Sequence, residues 1–281
     1  MGQLTKEEPE LRPAPFTLHR PLSLEDASLL AQKGALPLAG GQALLQDLRQ
    51  RNCTPSDIIN LGQIADLSEE ITIRENYVHI GAKATVKNLI DDNTVSEYMP
   101  WLNQASQKLG DVQIRNFATV VGNVCWSDPR ANLAIALLAS QAKILIFESS
   151  GDIARLNLKE FFTGFRKNVL RNRIAIALEV PLLSKLKGIY LEFSRQPQDL
   201  ALVNMAAVRE KHSQSINLIV GGILERPIQV ESKLDDPFEK IAECIRSSGV
   251  NRLQDQFASY DHKISILSAL TDTAKETLKV I

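Results

Sequence analysis

Over its first hundred residues the chain alternates short β-like runs with amphipathic helical ones. Such alternation restricts the fold to layered α/β or α+β architectures. Phe16–Pro21 reads as a strand. Ser23 offers an N-cap with Asp26 three residues on, and the helix that follows carries Leu24, Ala27 and Leu30 on its apolar side. Ala35–Leu38 is an apolar run that stops at Gly40-Gly41, and Leu44, Leu45 and Leu48 then give Ala43–Arg51 a helical spacing. Asp57–Leu61 is a further strand, and Ile71–Ile73 with Tyr77–Ala82 alternates as a hairpin does. Thr85 caps the next helix, and a longer one is predicted over Tyr98–Leu109.

Gln113–Val124 is apolar and β-branched, and it reads as a strand that breaks at Gly122. Asp128 is placed as N-cap and Pro129 at the first position of a helix over Ala131–Ser140. Strands are expected at Lys143–Phe147 and Ile174–Val180. Pro181–Gly188 is basic and turn-rich, so the domain boundary is placed there. Three strands follow, Tyr190–Arg195, Leu202–Glu210 and Ser215–Ile223, and then two amphipathic helices, Pro237–Ser247 and Ser259–Leu278. The expected division is a flexible arm over 1–15, a first domain over 16–185 and a small α+β domain over 186–281.

With 44% hydrophobic and 23% charged residues in 281, the chain can bury a substantial core. Its 32 basic and 33 acidic side chains leave a net charge of -1, which gives no whole-chain signal for nucleic acid or an anionic membrane. Cys53, Cys125 and Cys244 lie far apart without a C-x-x-C, which argues against a thiolate zinc site or a four-cysteine iron–sulfur cluster within this chain. Three such cysteines fit a reducing compartment. The charged, Pro-containing first fifteen residues lack the apolar core of a signal peptide, and no run of about 18 apolar residues suggests a membrane span. The expectation is a cytoplasmic protein. His19, His79, His212 and His262 are scattered without metal-ligand spacing, so no metal site is assigned.

Two glycine-containing turns carry chemistry. In Leu38-Ala39-Gly40-Gly41-Gln42-Ala43-Leu44 a strand stops at a glycine pair and a helix begins at once. Glycine permits positive φ and close approach of a ligand to the backbone, and amides at a helix start can hold a phosphate. The stretch is neither G-x-G-x-x-G nor G-x-x-x-x-G-K-[ST], so neither a Rossmann site nor a P-loop is indicated. Taken alone it also reads as a tight connecting turn. The second turn runs from Ile114 to Val124, where Thr119 and Asn123 can hydrogen-bond a phosphate or a sugar; taken alone it also reads as an ordinary turn.

Together, the two turns resemble the FAD-binding medium subunits of the xanthine dehydrogenase and carbon monoxide dehydrogenase family. Members typically read L-A-G-G-T-x-L in the first turn and Q-I-R-N-x-A-T-[VI]-G-G-N-[IL] in the second, followed by P-x-x-D-L. Here the matching stretches are Leu38–Leu44, Gln113–Val124 and Pro129–Leu133. Ile80-Gly81-Ala82, Leu158–Arg166, Arg195 with Asp199-Leu200-Ala201 and Val203, and Val220-Gly221-Gly222 with Pro227 match further family stretches. The resemblance runs in order over about residues 16–281.

The resemblance implies a two-subdomain FAD-binding domain with the cofactor between the subdomains. It implies a C-terminal domain of a three-stranded antiparallel sheet with helices. It places Leu38, Ala39, Gly40, Gly41, Gln42, Ala43 and Leu44, together with Thr119, Val120, Val121, Gly122 and Asn123, along the FAD pyrophosphate, mostly through backbone amides. Asn132 stands where a cofactor-bonding Asp is usual. The implied chemistry is electron transfer. A large molybdopterin subunit oxidises the substrate, a small subunit carries two [2Fe-2S] clusters, and this subunit passes electrons through FAD to NAD or another acceptor. No residue of this chain need act as acid, base or nucleophile.

Four positions depart from the pattern. Val121 replaces the first Gly of G-G-N, where a Val would resist positive φ. Gln42 replaces Thr or Ser, Asn132 replaces Asp, and Glu192 stands where relatives often carry a Lys near the isoalloxazine. A carboxylate there would lower the flavin potential. These departures keep a second reading open, a cofactor-free paralogue acting as a scaffold or assembly protein. A third, a stand-alone flavin oxidase, lacks a motif for covalent flavin attachment. Among the neighbours, Trp101, Trp126 and Cys125 are expected to pack, with Trp126 close to the second turn. Asp47, Arg49 and Arg51 are expected on a solvated helix face, and Arg115 and Arg166 in internal salt bridges.

Overall fold

The computed structural model describes residues 12–183 and 185–280, so most of the expected N-terminal arm lies outside the described residues. Among the described residues the chain builds three larger sheets with helices between them, and a two-stranded one, Phe162–Gly164 with Lys167–Asn168. In the first, the strands Thr17–His19 and Leu36–Leu38 both run parallel to a central strand, Asp57–Asn60. Parallel neighbours require crossovers. The helices Leu24–Gln32 and Leu44–Arg49 supply them. Ser23 caps the first by accepting from the Asp26 amide, as the sequence predicts.

The second sheet is antiparallel and five-stranded. Its order is Ile71–Arg74, Tyr77–Gly81, Ile174–Pro181, Lys143–Phe147, Ile153–Asn157. The last of these was not expected: Ile153–Asn157 is a short edge strand whose side chains alternate between exposed and half-buried. Between its strands the chain makes a run of short helices. Thr85 and Asn88 form a reciprocal capping box at the helix Val86–Asp91. The helix expected over Tyr98–Leu109 is Pro100–Lys108, and a separate short helix, Asn93–Tyr98, precedes it. Pro100 disfavours helical backbone in the residue before it, and Met99 sits at φ -137.

The third sheet is fully antiparallel and follows chain order: Leu186–Phe193, Val203–Glu210, Ser215–Gly221, Ile228–Lys233. It contains the expected antiparallel arrangement with helices, plus a fourth strand beyond the three read from the sequence. The helices Phe238–Arg246 and Tyr260–Val280 cover one face. The other face packs on the apolar helix Asn132–Ala139, in which Leu133, Ile135, Ala136 and Leu137 are fully buried. One contiguous core therefore includes Trp101 and Ile135 of the first part and Tyr190, Ala206 and Val208 of the third sheet.

Two glycines make that junction tight. A Cβ at Gly188 would stand 2.5 Å from the Trp101 ring, and one at Gly221 would stand 2.3 Å from the Pro129 carbonyl. Trp101 is itself pinned, its indole N–H donating to Ser140 at 2.8 Å. We expect Gly188→Ala to lower stability by about 1–3 kcal/mol through overpacking. Alanine at the exposed Gly151 lacks any atom within 4 Å to meet, so its cost is confined to its positive φ. Denaturant titration of the two variants checks the difference; equal midpoints would show that the Trp101 contact yields freely.

Candidate cofactor site

The stretch Gln113–Val124 is not a strand. It folds as two short helices, Val112–Phe117 and Val120–Trp126, and the caps explain why. Asp111 accepts from the Ile114 amide and Thr119 from the Gly122 amide. An apolar, β-branched run with a polar cap at each helix start closes on itself instead of pairing. Val121 consequently lies in a helix and is 3% exposed. The strain expected from a Val at that position does not arise.

The first turn does read as expected, a strand followed by a helix. Gly41 has φ +75, a left-handed conformation that only glycine adopts without strain. Gly40 answers a different need. A Cβ there would stand 1.9 Å from the Phe117 carbonyl oxygen and 3.0 Å from the Thr119 amide nitrogen. The glycine pair thus seats one turn directly against the other. The second turn is stitched in place from behind, with the Val86 amide donating to Ala118 and the Val120 amide to Ala84.

A cleft of about 1080 Å3 opens along these two turns. That is just above the range for pockets that hold a small-molecule cofactor, about 300–1,000 Å3. Of the residues singled out from sequence, Leu38, Ala39, Gly40, Gly41, Gln42, Ala43, Leu44, Thr119, Val121, Gly122, Asn123 and Asn132 line it. Val120 does not, being fully buried in the core.

The two turns offer different groups to a ligand. Among the described residues, no acceptor is bound by the amides of Gly41, Gln42, Ala43 and Leu44. In the second turn most amides are already used, Val120 toward Ala84, Gly122 toward the Thr119 hydroxyl and Asn123 toward the Thr119 carbonyl. The expectation that both turns present backbone donors is corrected accordingly: the first turn offers amides and the second offers side chains. Asn123 Oδ1 is buried at the cleft without a hydrogen-bond partner. An orphaned acceptor of this kind costs about 1–3 kcal/mol unless a ligand or water meets it.

A charged ladder that the sequence did not reveal as one unit holds the cleft walls together. Arg166 donates to Asp47 at 2.9 Å and to Asp128 at 3.3 Å, and stacks over Trp126 at 4.6 Å. The Trp126 indole N–H also donates to Asp47, at 3.3 Å. Asp47 is therefore an anchor of the first turn's helix and not part of a solvated face. Arg166 meets the salt-bridge expectation. Arg115 does not: its guanidinium donates to the carbonyls of Leu109 and Gly110, closing the end of the helix Pro100–Lys108. Asp128 does not cap the next helix, whose N-cap is Ala131; its carboxylate serves Arg130 and Arg166. Burial pushes the Asp128 carboxyl up, but the Arg130 hydrogen bonds and charge, helped by Arg166, outweigh it and hold the group below its ordinary range. Cys125 lies on the cleft wall, half-buried, and burial pushes its thiol up to about 12.

At the far end, the Asn132 amide nitrogen donates to Glu192 Oε2 at 2.6 Å, and the Tyr190 hydroxyl donates to the same oxygen at 2.9 Å. Asn132 faces the main cleft, whereas Glu192 faces a second cavity of about 620 Å3. Gly110, Arg195 and Gln198 line both spaces and form the partition between them. Burial is the main cause that raises the Glu192 carboxyl above its ordinary value of 4.5.

Comparison with known proteins settles the family. Residues 14–183, more than half of the chain, match the family described as FAD binding domain in molybdopterin dehydrogenase. The chain belongs to that family. It is a medium, FAD-binding subunit of the molybdenum hydroxylase group, and its relatives are the FAD subunits of oxidoreductase complexes. It is 28% identical to the glyceraldehyde dehydrogenase medium chain of Sulfolobus acidocaldarius over 92% of this chain and 96% of that one. It is 29% identical to the xanthine dehydrogenase FAD-binding subunit of Escherichia coli O157:H7 over 67% of this chain and 66% of that one. The fold matches a carbon monoxide dehydrogenase chain from Hydrogenophaga pseudoflava with a TM-score of 0.84, at 21% identity, over 95% of this chain and 98% of that one. Among the described residues, no helix is long and apolar enough to cross a membrane. The residues present fit FAD: free amides at one turn, an orphaned acceptor at the other, and a cleft large enough between them.

Two outcomes follow from this geometry. Arg166→Met leaves Asp47 and Asp128 short of a cation, and we expect it to lower stability by about 1–3 kcal/mol, because Arg166 is partly exposed and Asp128 keeps Arg130. A thermal melt of the cofactor-free chain checks this, and an unchanged midpoint would show the ladder to be ornamental. A raised carboxyl contributes stability that is complete below its unfolded value and is lost as pH rises through the folded one. Wild type should therefore be less stable than Glu192→Gln at neutral pH, and the gap should close as pH falls below 4.5. Denaturation midpoints over that pH range test the sign.

Proposed function

We propose that this chain is the flavin-carrying electron-transfer subunit of a molybdenum hydroxylase complex. It receives electrons from the [2Fe-2S] clusters of a small partner subunit, whose source is a large molybdopterin subunit, and delivers them to NAD or another acceptor. The observation that carries this reading is the pairing of four uncommitted amides at Gly41–Leu44 with an unpartnered acceptor, Asn123 Oδ1, across one large cleft. Relatives named as medium chains of carbon monoxide dehydrogenase and as the medium subunit of nicotine 6-hydroxylase support the multi-subunit setting.

In this reading the amides of the first turn hold the FAD pyrophosphate, assisted by Gly41's left-handed backbone. Thr119 and Asn123 meet the sugar or ribityl hydroxyls, Gly122 keeps the Thr119 cap close, and Val121 and Leu38 supply apolar wall. Asn132 bonds the cofactor at the far end. When bound, FAD supplies the redox chemistry, and the protein orients it and sets its surroundings. The scaffold alternative rests on Val121, Asn132 and Glu192, and the helical setting of Val121 removes the first of these objections. We also place the domain division at 185/186, with the flavin domain over 16–185, and the protein in the cytoplasm.

The test is the absorption spectrum of the purified full-length chain after incubation with FAD and desalting. We expect a flavin band close to one equivalent. Gly41→Val should weaken FAD retention about tenfold or more, since it strains the turn that presents the amides. Folded wild-type protein that retains no flavin would rule the reading out.

A further inference from the structure

We propose that Glu192 is a positioning residue for the cofactor: it fixes the Asn132 amide so that Asn132 presents its carbonyl oxygen, and not its amide hydrogens, to the cleft. The inference rests on the FAD reading above and deepens it.

An asparagine can face a ligand in two ways. Its side chain carries two donors on one side and an acceptor on the other, and a simple flip exchanges them. Nothing in the residue itself decides which side faces a ligand. Here the neighbour decides. The Asn132 nitrogen lies 2.6 Å from Glu192 Oε2. A carboxylate only accepts hydrogen bonds, so it holds the nitrogen and repels the oxygen. Among the described residues, nothing donates to Asn132 Oδ1, and that atom is not sealed in the protein. Since Asn132 lines the cleft, the free oxygen is the group left for a ligand there.

Glu192 is itself held. Tyr190 donates to the same carboxylate oxygen at 2.9 Å, and the Tyr190 hydroxyl in turn accepts from Asn204 at 3.3 Å. Asn204 is buried and anchored to the Arg130 carbonyl at 3.0 Å, two residues before Asn132. The chain of bonds runs from the third sheet, through a carboxylate in the second cavity, to an amide in the first. The cleft thereby gains an acceptor without a charge beside the cofactor. The ligand group it suits is a donor, a ribityl hydroxyl or a ring N–H of the flavin.

The experiment is FAD titration of the full-length chain, followed by flavin fluorescence, for wild type and four variants, each checked for folding by thermal melting. Glu192→Gln keeps an acceptor for the Asn132 nitrogen, and its affinity should stay within about twofold of wild type. Glu192→Leu removes the acceptor and should weaken FAD about tenfold. Asn132→Asp sets two carboxylates together and should weaken it at least as much. In the double variant Asn132→Asp with Glu192→Gln, the glutamine amide donates to the aspartate, the other aspartate oxygen faces the cleft, and affinity should return to within about threefold of wild type. That recovery is the decisive readout, because loss of packing alone would not be reversed by it. If Asn132→Asp binds as tightly as wild type, or the double variant binds no better than Asn132→Asp, the proposal is overturned. If Asn132→Asp fails to fold, equal affinities of Glu192→Leu and Glu192→Gln overturn it instead. Wild type that binds FAD while these comparisons fail sinks only this inference; folded wild type that binds none sinks the functional reading with it.

Discussion

The structure depends on one backbone-to-backbone contact. Gly40 lies so close to the Phe117 carbonyl that any side chain would occupy the same space. Without that approach the parallel sheet and the antiparallel sheet could not bring their turns side by side, and there would be no shared cleft. Contacts of this kind cannot be softened by rotamer changes, because both partners are main chain. They explain why a glycine that makes no special φ is required. The neighbouring Gly41, by contrast, is required by its φ of +75.

Around that contact the molecule secures its cleft twice. The Asp47–Arg166–Asp128 ladder ties the helix of the first turn to the segment after the second. Its inner carboxylate, Asp128, is fully buried, so it must be paired, and two arginines pair it. The second fixture is apolar. The helices Pro100–Lys108 and Asn132–Ala139 pack against each other and both lie on the third sheet, so that sheet shares a core with the first part of the chain. One consequence reaches the chemistry. Asn132 starts that buried helix and Glu192 sits on the first strand of the third sheet, so the end of the cleft is shaped by a seam between two layers.

Much of the fold was legible beforehand. Local signals carried it: the Ser23 and Thr85 caps, the period-2 runs of the central strands, and the apolar continuity of the helix after Pro129. Errors fell where a local signal had two readings. Gln113–Val124 has the β-branched content of a strand, yet Asp111 and Thr119 begin helices there. The helix expected over Tyr98–Leu109 starts at Pro100, whereas the short helix before it, Asn93–Tyr98, and the half-exposed edge strand Ile153–Asn157 have little apolar signature.

The sequence by itself determined which segments turn, which are apolar and, through two motifs in order, which family the chain resembles. Those are properties of neighbours along the chain. The tertiary structure alone decided which amides remain free, because an amide's partner is often far away in sequence, as Ala84 is for Val120. It decided that Val121 is unstrained, that Asp47 is an anchor, and that Asn132 turns its nitrogen to Glu192 across 60 residues. Hydrogen-bond polarity and burial are set by what the fold brings near, and no local pattern records it.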